Sequence, residues 1–337
     1  MKRATPARAP LRAIAATVVI VLFGSTLASA AGPLGSVAGS ASATKQAVRV
    51  APPAAPRGTG TTLAGCPVFP ADNPWNTDIS AYPVRANSAA IMARYSATKV
   101  TVDFFSNTPY GFPITVVPED QPLVPISYYA WPHESDPGPM PIPLDAAFEV
   151  NEDHHLLVVQ QGTCKLYELG GVARTANGWT AGAGAIFDLR TNALRPEKWT
   201  STDNAGLPVT AGLVRCEDMA AGRITHAIRM VARYVQNGYV SPARHGAGVT
   251  NDPNALAMGM RLRLKADYDI SRFTGHARII MEAFKTYGLI VADQGPDFYF
   301  HGERANCFND AELWQIRNQV PASAFEVVDT GPVVPWP

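Results

Sequence analysis

The chain lacks most of the short signatures that announce a reaction. It has no HExxH, no GxSxG, no Walker loop, no GxGxxG and no EF-hand loop. Zinc proteases, nucleophile-elbow hydrolases, P-loop enzymes, dinucleotide enzymes and EF-hand proteins therefore have no support. Its four cysteines form no CxxC, which removes zinc-ribbon and thioredoxin readings. No internal repeat of about 20–50 residues occurs, against propellers and solenoids. Charge is also scarce, at 17% of 337 residues, below the roughly 25% usual for globular chains. An apolar content of 47% nevertheless excludes disorder throughout.

The 28 basic and 28 acidic residues are unevenly placed. Residues 1–30 read as a secretory signal: Lys2, Arg3, Arg8 and Arg12, then an apolar run from Ala13 to Leu27, then Ala28-Ser29-Ala30. The run is shorter than the ~20 residues of a spanning helix. Residues 31–65 are Ala, Gly, Ser and Pro-rich, carry Lys45, Arg49 and Arg57 and no acid, and read as a disordered linker. Removing both segments leaves 21 bases against 28 acids, a charge of −7 on a body spanning 66–337. A secreted acidic body is a poor partner for nucleic acid or an anionic membrane.

Four cysteines in an exported chain predict two disulfides. Of the three connectivities, Cys66–Cys307 with Cys164–Cys216 ties the ends of the body and is the pairing expected.

The body reads as mainly β with peripheral helices, an α+β single domain of sandwich or distorted jelly-roll type. Residues 66–83 hold four prolines and read as an extended cover, and ten prolines in 109–145 predict loops and edge segments. Strands are expected at 155–160, 165–169 and 185–189. Met258–Ile270 alternates strictly, with Met260, Leu262 and Leu264 facing in and Arg261, Arg263 and Lys265 facing water. Ile224–Val235 reads better as strand than helix. Helices are expected at 87–97, 276–287 and 311–319.

The densest chemistry lies in 195–226, with Glu197, Trp199, Asp203, Arg215, Glu217, Asp218 and His226. Glycoside hydrolysis needs one protonated carboxyl to assist the leaving oxygen and one ionised carboxylate to activate water or attack the sugar. Asp203 with Glu217 or Asp218 could supply that pair. Arg215 would orient a carboxylate, and Trp199 would stack on a pyranose. Alternatively His226, Tyr239, Arg244 and His245 could remove a proton beside a uronate carboxylate in a lyase reaction. Structural readings exist for each: a turn at Asp203, a helix cap at Glu217-Asp218, a core imidazole at His226. Trp131–Pro143 brings Glu134 and Asp136 on a loop that either lines the same cleft or decorates the surface. His154 and His155 would point to opposite faces of a strand, so one strand cannot aim both at one metal. A three-His metal site from distant positions stays open, and Asp267 with Asp269 offers carboxylates to calcium. Otherwise no cofactor is called for.

The body resembles an uncharacterised family of exported bacterial proteins. The matching pieces are NPWN (73–76), ESDPGPMPIP (134–143), CKLYEL (164–169), ALRPEKWTSTDNAGLP (193–208), ITHAIR (224–229), SPARH (241–245) and RLRLKADYDI (261–270). The resemblance implies one extended domain and assigns no role to any residue. The function expected is therefore an exported enzyme cleaving extracellular or cell-wall polysaccharide. A non-catalytic glycan-binding surface protein and an exported peptidase or esterase are the other readings.

Overall fold

The computed structural model describes residues 62–336 except Asn107 and Glu152. The expected signal sequence and residues 31–61 of the expected linker lie outside them. Leu63, assigned to the linker by composition, is buried, and Thr62–Leu63 pairs with Cys66–Pro67 across a turn at Ala64-Gly65.

Strands dominate, as the sequence implies, and they form two principal sheets. The first has four strands in the order Ala183–Asp188, Lys165–Gly170, Leu156–Gln160, Ile114–Val117. The second has six, in the order Phe325–Val327, Arg261–Leu264, Leu289–Gln294, Ile228–Ala232, Tyr299–Phe300, Thr101–Val102. Two three-stranded sheets accompany them, one of which includes Val235–Tyr239 and Val334–Pro335. Leu156–Gln160 and Ile228–Ala232 are buried along their whole length. That is the expected signature of strands covered on both faces. The longest helix, Gly275–Thr286, packs Ala277, Ile280, Met281 and Phe284 into the core. Among the described residues no helix is long and apolar enough to cross a membrane.

Two expectations about elements are corrected. The alternating stretch at 258–270 is not one strand. Gly259, at φ +79, breaks it between Leu256–Met258 and Arg261–Leu264, which join different sheets. Arg261 does not face water. It is buried, with Nη1 donating to the Pro74 carbonyl at 2.6 Å and Nη2 to that of Tyr287. Period-2 alternation identifies the strand but not what covers its polar face. The helix expected at 311–319 is one turn, Asp310–Leu313, capped by Asn309 and followed by turns.

The disulfides also differ from the expected pairing. They join Cys66 to Cys164 and Cys216 to Cys307. The Cys66 segment lies along the end of the first sheet, where Phe69 N–H donates to Leu189 O, beside the turn that carries Cys164. Val214 N–H donates to His301 O and Glu303 N–H to Val214 O, which brings the Cys216 and Cys307 regions together. The bridges therefore staple neighbouring loops to strands and leave the two ends of the body untied to each other. Two disulfides are compatible with an extracellular protein.

Candidate active site

The two principal sheets meet with their polar side chains clustered at the seam. From the first sheet come His155, just before Leu156–Gln160, and Glu168, inside Lys165–Gly170. From the second come Arg229, Asp293 at the end of Leu289–Gln294, and His301 and Asp103. The last two follow parallel strands paired Tyr299 to Thr101 and Phe300 to Val102, so they emerge side by side. A loop, residues 195–215, closes the seam and contributes Asp203.

Two cavities adjoin there. One of about 610 Å3 is lined by Tyr129, Trp131, His155, Asp203 and His245 among others. A second of about 280 Å3 is lined by Asp103, Tyr110, Phe112, Glu149, Arg229, Tyr299 and His301. Asp153, His155, Asp293 and Gln294 line both. Trp131 and Tyr129 line the first cavity and remain 53% and 69% exposed, with the Tyr129 hydroxyl donating to the Gly171 carbonyl at 3.1 Å.

Buried carboxylates hold the closing loop in place. Glu168, fully buried, accepts from Val209 N–H at 3.0 Å, Thr210 N–H at 2.9 Å and Thr210 Oγ1 at 2.8 Å. Burial pushes its carboxyl up despite these donors. Thr200 N–H donates to Glu134 Oε2 at 3.0 Å, and Arg195 pairs with Asp136 at 2.5 Å while donating to Thr200 O. The proline-rich loop thus braces the site as well as lining it. Gly206, at φ +68, lets the loop turn back where a side chain would strike the Trp199 carbonyl.

Five ionisable groups take distinct states. His155 Nδ1 lies 2.5 Å from Glu149 Oε2 and its Nε2 lies 2.9 Å from Thr202 O, so both nitrogens face acceptors. Burial alone would lower its pKa, but the hydrogen bond and charge of Glu149 prevail and raise it to about 9. Burial likewise opposes the ionised Glu149, and His155 overcomes it and holds that carboxyl below its usual range. His301 is the opposite case. Arg229 Nη1 donates to its Nδ1 at 2.8 Å, which places the ring proton on Nε2. Burial and the neighbouring cations keep this imidazole neutral, well below its ordinary pKa. Asp293 is raised to about 8, first by burial and then by the charge of Asp203. Asp103 is raised to about 6, chiefly by burial.

The predicted site residues are dispersed. Asp203 lines the first cavity, but its carboxylate is held by Arg229. His245 lines the same cavity, with Nδ1 2.7 Å from Asn204 O, Nε2 3.8 Å from Glu134 and burial lowering its pKa. Glu217 is exposed on the short helix Cys216–Ala221 and lines neither cavity. Asp218 and His226 are fully buried and face each other, Oδ2 to Nε2, at 3.1 Å. Arg215 is fully buried and donates to the Thr210 carbonyl. Tyr239 is buried, with its hydroxyl on Glu197 at 2.8 Å, and Arg244 donates to the Arg195 carbonyl. Trp199 is half-buried beneath the Arg195 guanidinium. The sequence reading missed Asp293, Glu149, Asp153 and His301, and left His155 in the wrong company. A usable signal was present: acids closing apolar runs, as Asp293 does in LIVADQ.

Asp267 and Asp269 sit exposed on a turn, where Asp269 accepts from Ser271 N–H at 2.8 Å. Among the described residues, Cys216, Glu303 and Cys307 bring potential metal-ligand atoms within 4.8 Å of one another. Two of them are the halves of a disulfide, which leaves one carboxylate. Comparison of the chain with protein-family models, curated proteins and solved structures returns no match.

Proposed function

We propose that the protein is an exported carbohydrate-active enzyme that hydrolyses polysaccharide in the seam between its two sheets, with Asp293 as the general acid. The observation that carries this reading is the place of Asp293, which lines both cavities. Its carboxyl, raised to about 8, keeps its proton at neutral pH. A carboxyl of this kind can protonate a glycosidic oxygen as the bond breaks. Asp153, exposed and lining both cavities, supplies the second carboxylate, which activates water or attacks the sugar carbon. Trp131 and Tyr129 offer apolar faces to sugar rings at the rim.

Elimination from a uronate fits less well. It needs a cation to neutralise the substrate carboxylate, and the one lining Lys or Arg is Arg229, already engaged by Asp203. Binding without cleavage would leave Asp293 its structural role alone, in which Oδ1 accepts from Gln294 N–H at 2.7 Å and Asn204 N–H at 3.3 Å. The test is a panel of extracellular and cell-wall polysaccharides, with reducing-end release and unsaturated-uronate absorbance as readouts. Reducing ends released by wild type and lost in Asp293→Asn support hydrolysis. Absorbance without dependence on Asp293 points to elimination, and binding with neither signal points to a glycan-binding protein.

A further inference from the structure

The second cavity has a chemistry of its own. Its carboxyl groups are Asp103, Glu149, Asp153 and Asp293, and its cations are Arg229 and His155. Both cations are committed, Arg229 to Asp203 and His155 to Glu149. Among the described residues no cation in the cavity is hydrogen-bonded to Asp103, although the charge of Arg229 acts on it from elsewhere in the lining. The neighbour of Asp103 there is His301 Nε2 at 3.7 Å, and that imidazole is neutral. Arg317 acts on Asp103 from outside the lining, where it donates to the Val102 carbonyl and packs on Phe105 and Trp314.

His301 provides an independent observation. It is 7% exposed, and Arg229 fixes its proton on Nε2, the nitrogen that faces Asp103. The distance to Asp103 is too long for a hydrogen bond. Nε2 is thus a donor turned toward the cavity without a hydrogen bond to Asp103, and a ligand hydroxyl entering there could accept from it. Tyr110 and Tyr299 complete the lining. A half-buried carboxylate beside aromatic rings suits an ammonium group, because each attracts a cation by a separate mechanism. The same lining repels an anion, which would meet several acids and find both cations occupied.

We propose that this cavity is an amino-sugar subsite, in which Asp103 receives the ammonium group, Tyr110 and Tyr299 form the walls and His301 Nε2 donates to a sugar hydroxyl. The inference rests on the glycan reading and narrows it to polysaccharides carrying free amines. It is tested by calorimetry on the full chain with a glucosamine tetramer, an N-acetylglucosamine tetramer and an oligogalacturonate of equal length. The glucosamine tetramer should bind about tenfold tighter than its acetylated counterpart, and the uronate weakest. Asp103→Asn should bring the two amino-sugar affinities together. Tyr110→Ala, at a residue half open to solvent, should reduce the preference without threatening the fold. Equal affinities in the wild type, or a preference that survives both substitutions, overturn the subsite. Tight binding of the acetylated oligomer alone overturns it while leaving the glycan reading standing. Failure to bind any of the three also overturns it, and the glycan reading is then decided separately by the cleavage panel.

Discussion

Arg229 grips both carboxylate oxygens of Asp203, with Nε 3.2 Å from Oδ2 and Nη2 on Oδ1. The two side chains are almost wholly cut off from water, at 2% and 1% exposure. Removing one member of such a pair strands the other charge in a poorly solvated place, at about 3–5 kcal/mol. Arg229→Met and Asp203→Asn should each lower unfolding stability by that order in urea melts. The double variant should recover part of the loss, because neither charge is then left alone. Additive losses would show that the guanidinium matters chiefly through His301.

The Glu149–His155 pair predicts a pH window. The folded pKa of His155, about 9, lies above its ordinary 6.5, so its stabilisation is complete below about pH 6.5 and fades as pH rises through 9. Glu149 is lowered from 4.5, so its contribution is present above that value and is lost on acidification. The pair should therefore stabilise most between about pH 4.5 and 6.5. Thermal melts of wild type and Glu149→Gln should differ most in that window and converge toward pH 9 and above. A constant difference across the range would show that the hydrogen bond, and not ionisation, carries the effect.

Asp293 has the opposite sign. Its folded pKa of about 8 exceeds its ordinary 3.8, so ionisation in the folded state is unfavourable and its effect on stability worsens as pH rises between these values. As general acid it must keep its proton, so kcat/KM on a cleavable glycan should fall as pH rises through about 8. Asp293→Asn should lower kcat by about 10²–10⁴-fold while raising stability at pH 8 relative to wild type. A variant that loses activity without that gain in stability would place the perturbed proton elsewhere in the cluster.

The β-rich architecture was legible because long apolar or alternating runs, such as HLLVVQ and KLYEL, mark strands whatever surrounds them. The site was less legible because its members come from both sheets and are separated by as many as 198 positions, from Asp103 to His301. Local density misleads here: residues 195–226 are dense because they hold a braced loop and the short helix Cys216–Ala221 that follows it. Arg215, Asp218 and His226 are buried, the first on the Thr210 carbonyl and the other two on each other. Asp203 alone of the proposed acids reaches the seam, and there it is bound to Arg229. What the sequence does not encode locally is which polar residue of a buried strand finds an opposite charge across the seam.

Each disulfide closes a long loop, with sequence separations of 98 and 91. Chain entropy for loops of this length is worth about 4–5 kcal/mol each. The two loops do not overlap in sequence, so their losses should add. Peptide mapping without reductant should recover the Cys66–Cys164 and Cys216–Cys307 linkages. Calorimetry of the Cys66→Ala/Cys164→Ala and Cys216→Ala/Cys307→Ala variants should show similar destabilisation. A much smaller effect for either would mean that the corresponding segment stays compact in the unfolded chain.

Trp336, at the far end of the described chain, packs against His245, a residue that lines the first cavity. Val334–Pro335 pairs with Gly238-Tyr239, Trp336 N–H donates to the Asn237 carbonyl, and its ring lies 4.1 Å from the imidazole of His245. This packing adds to the burial that lowers the His245 pKa. Trp336→Ala should open the ring to water and move that pKa upward, since burial is the first cause of its lowering and hydration favours the imidazolium. Histidine resonances followed by NMR through titration should show one group shifting up, with His155 and His301 unchanged. If His245 titrates as in the wild type, the 195–215 loop alone sets its environment and the tail strand only covers the sheet edge.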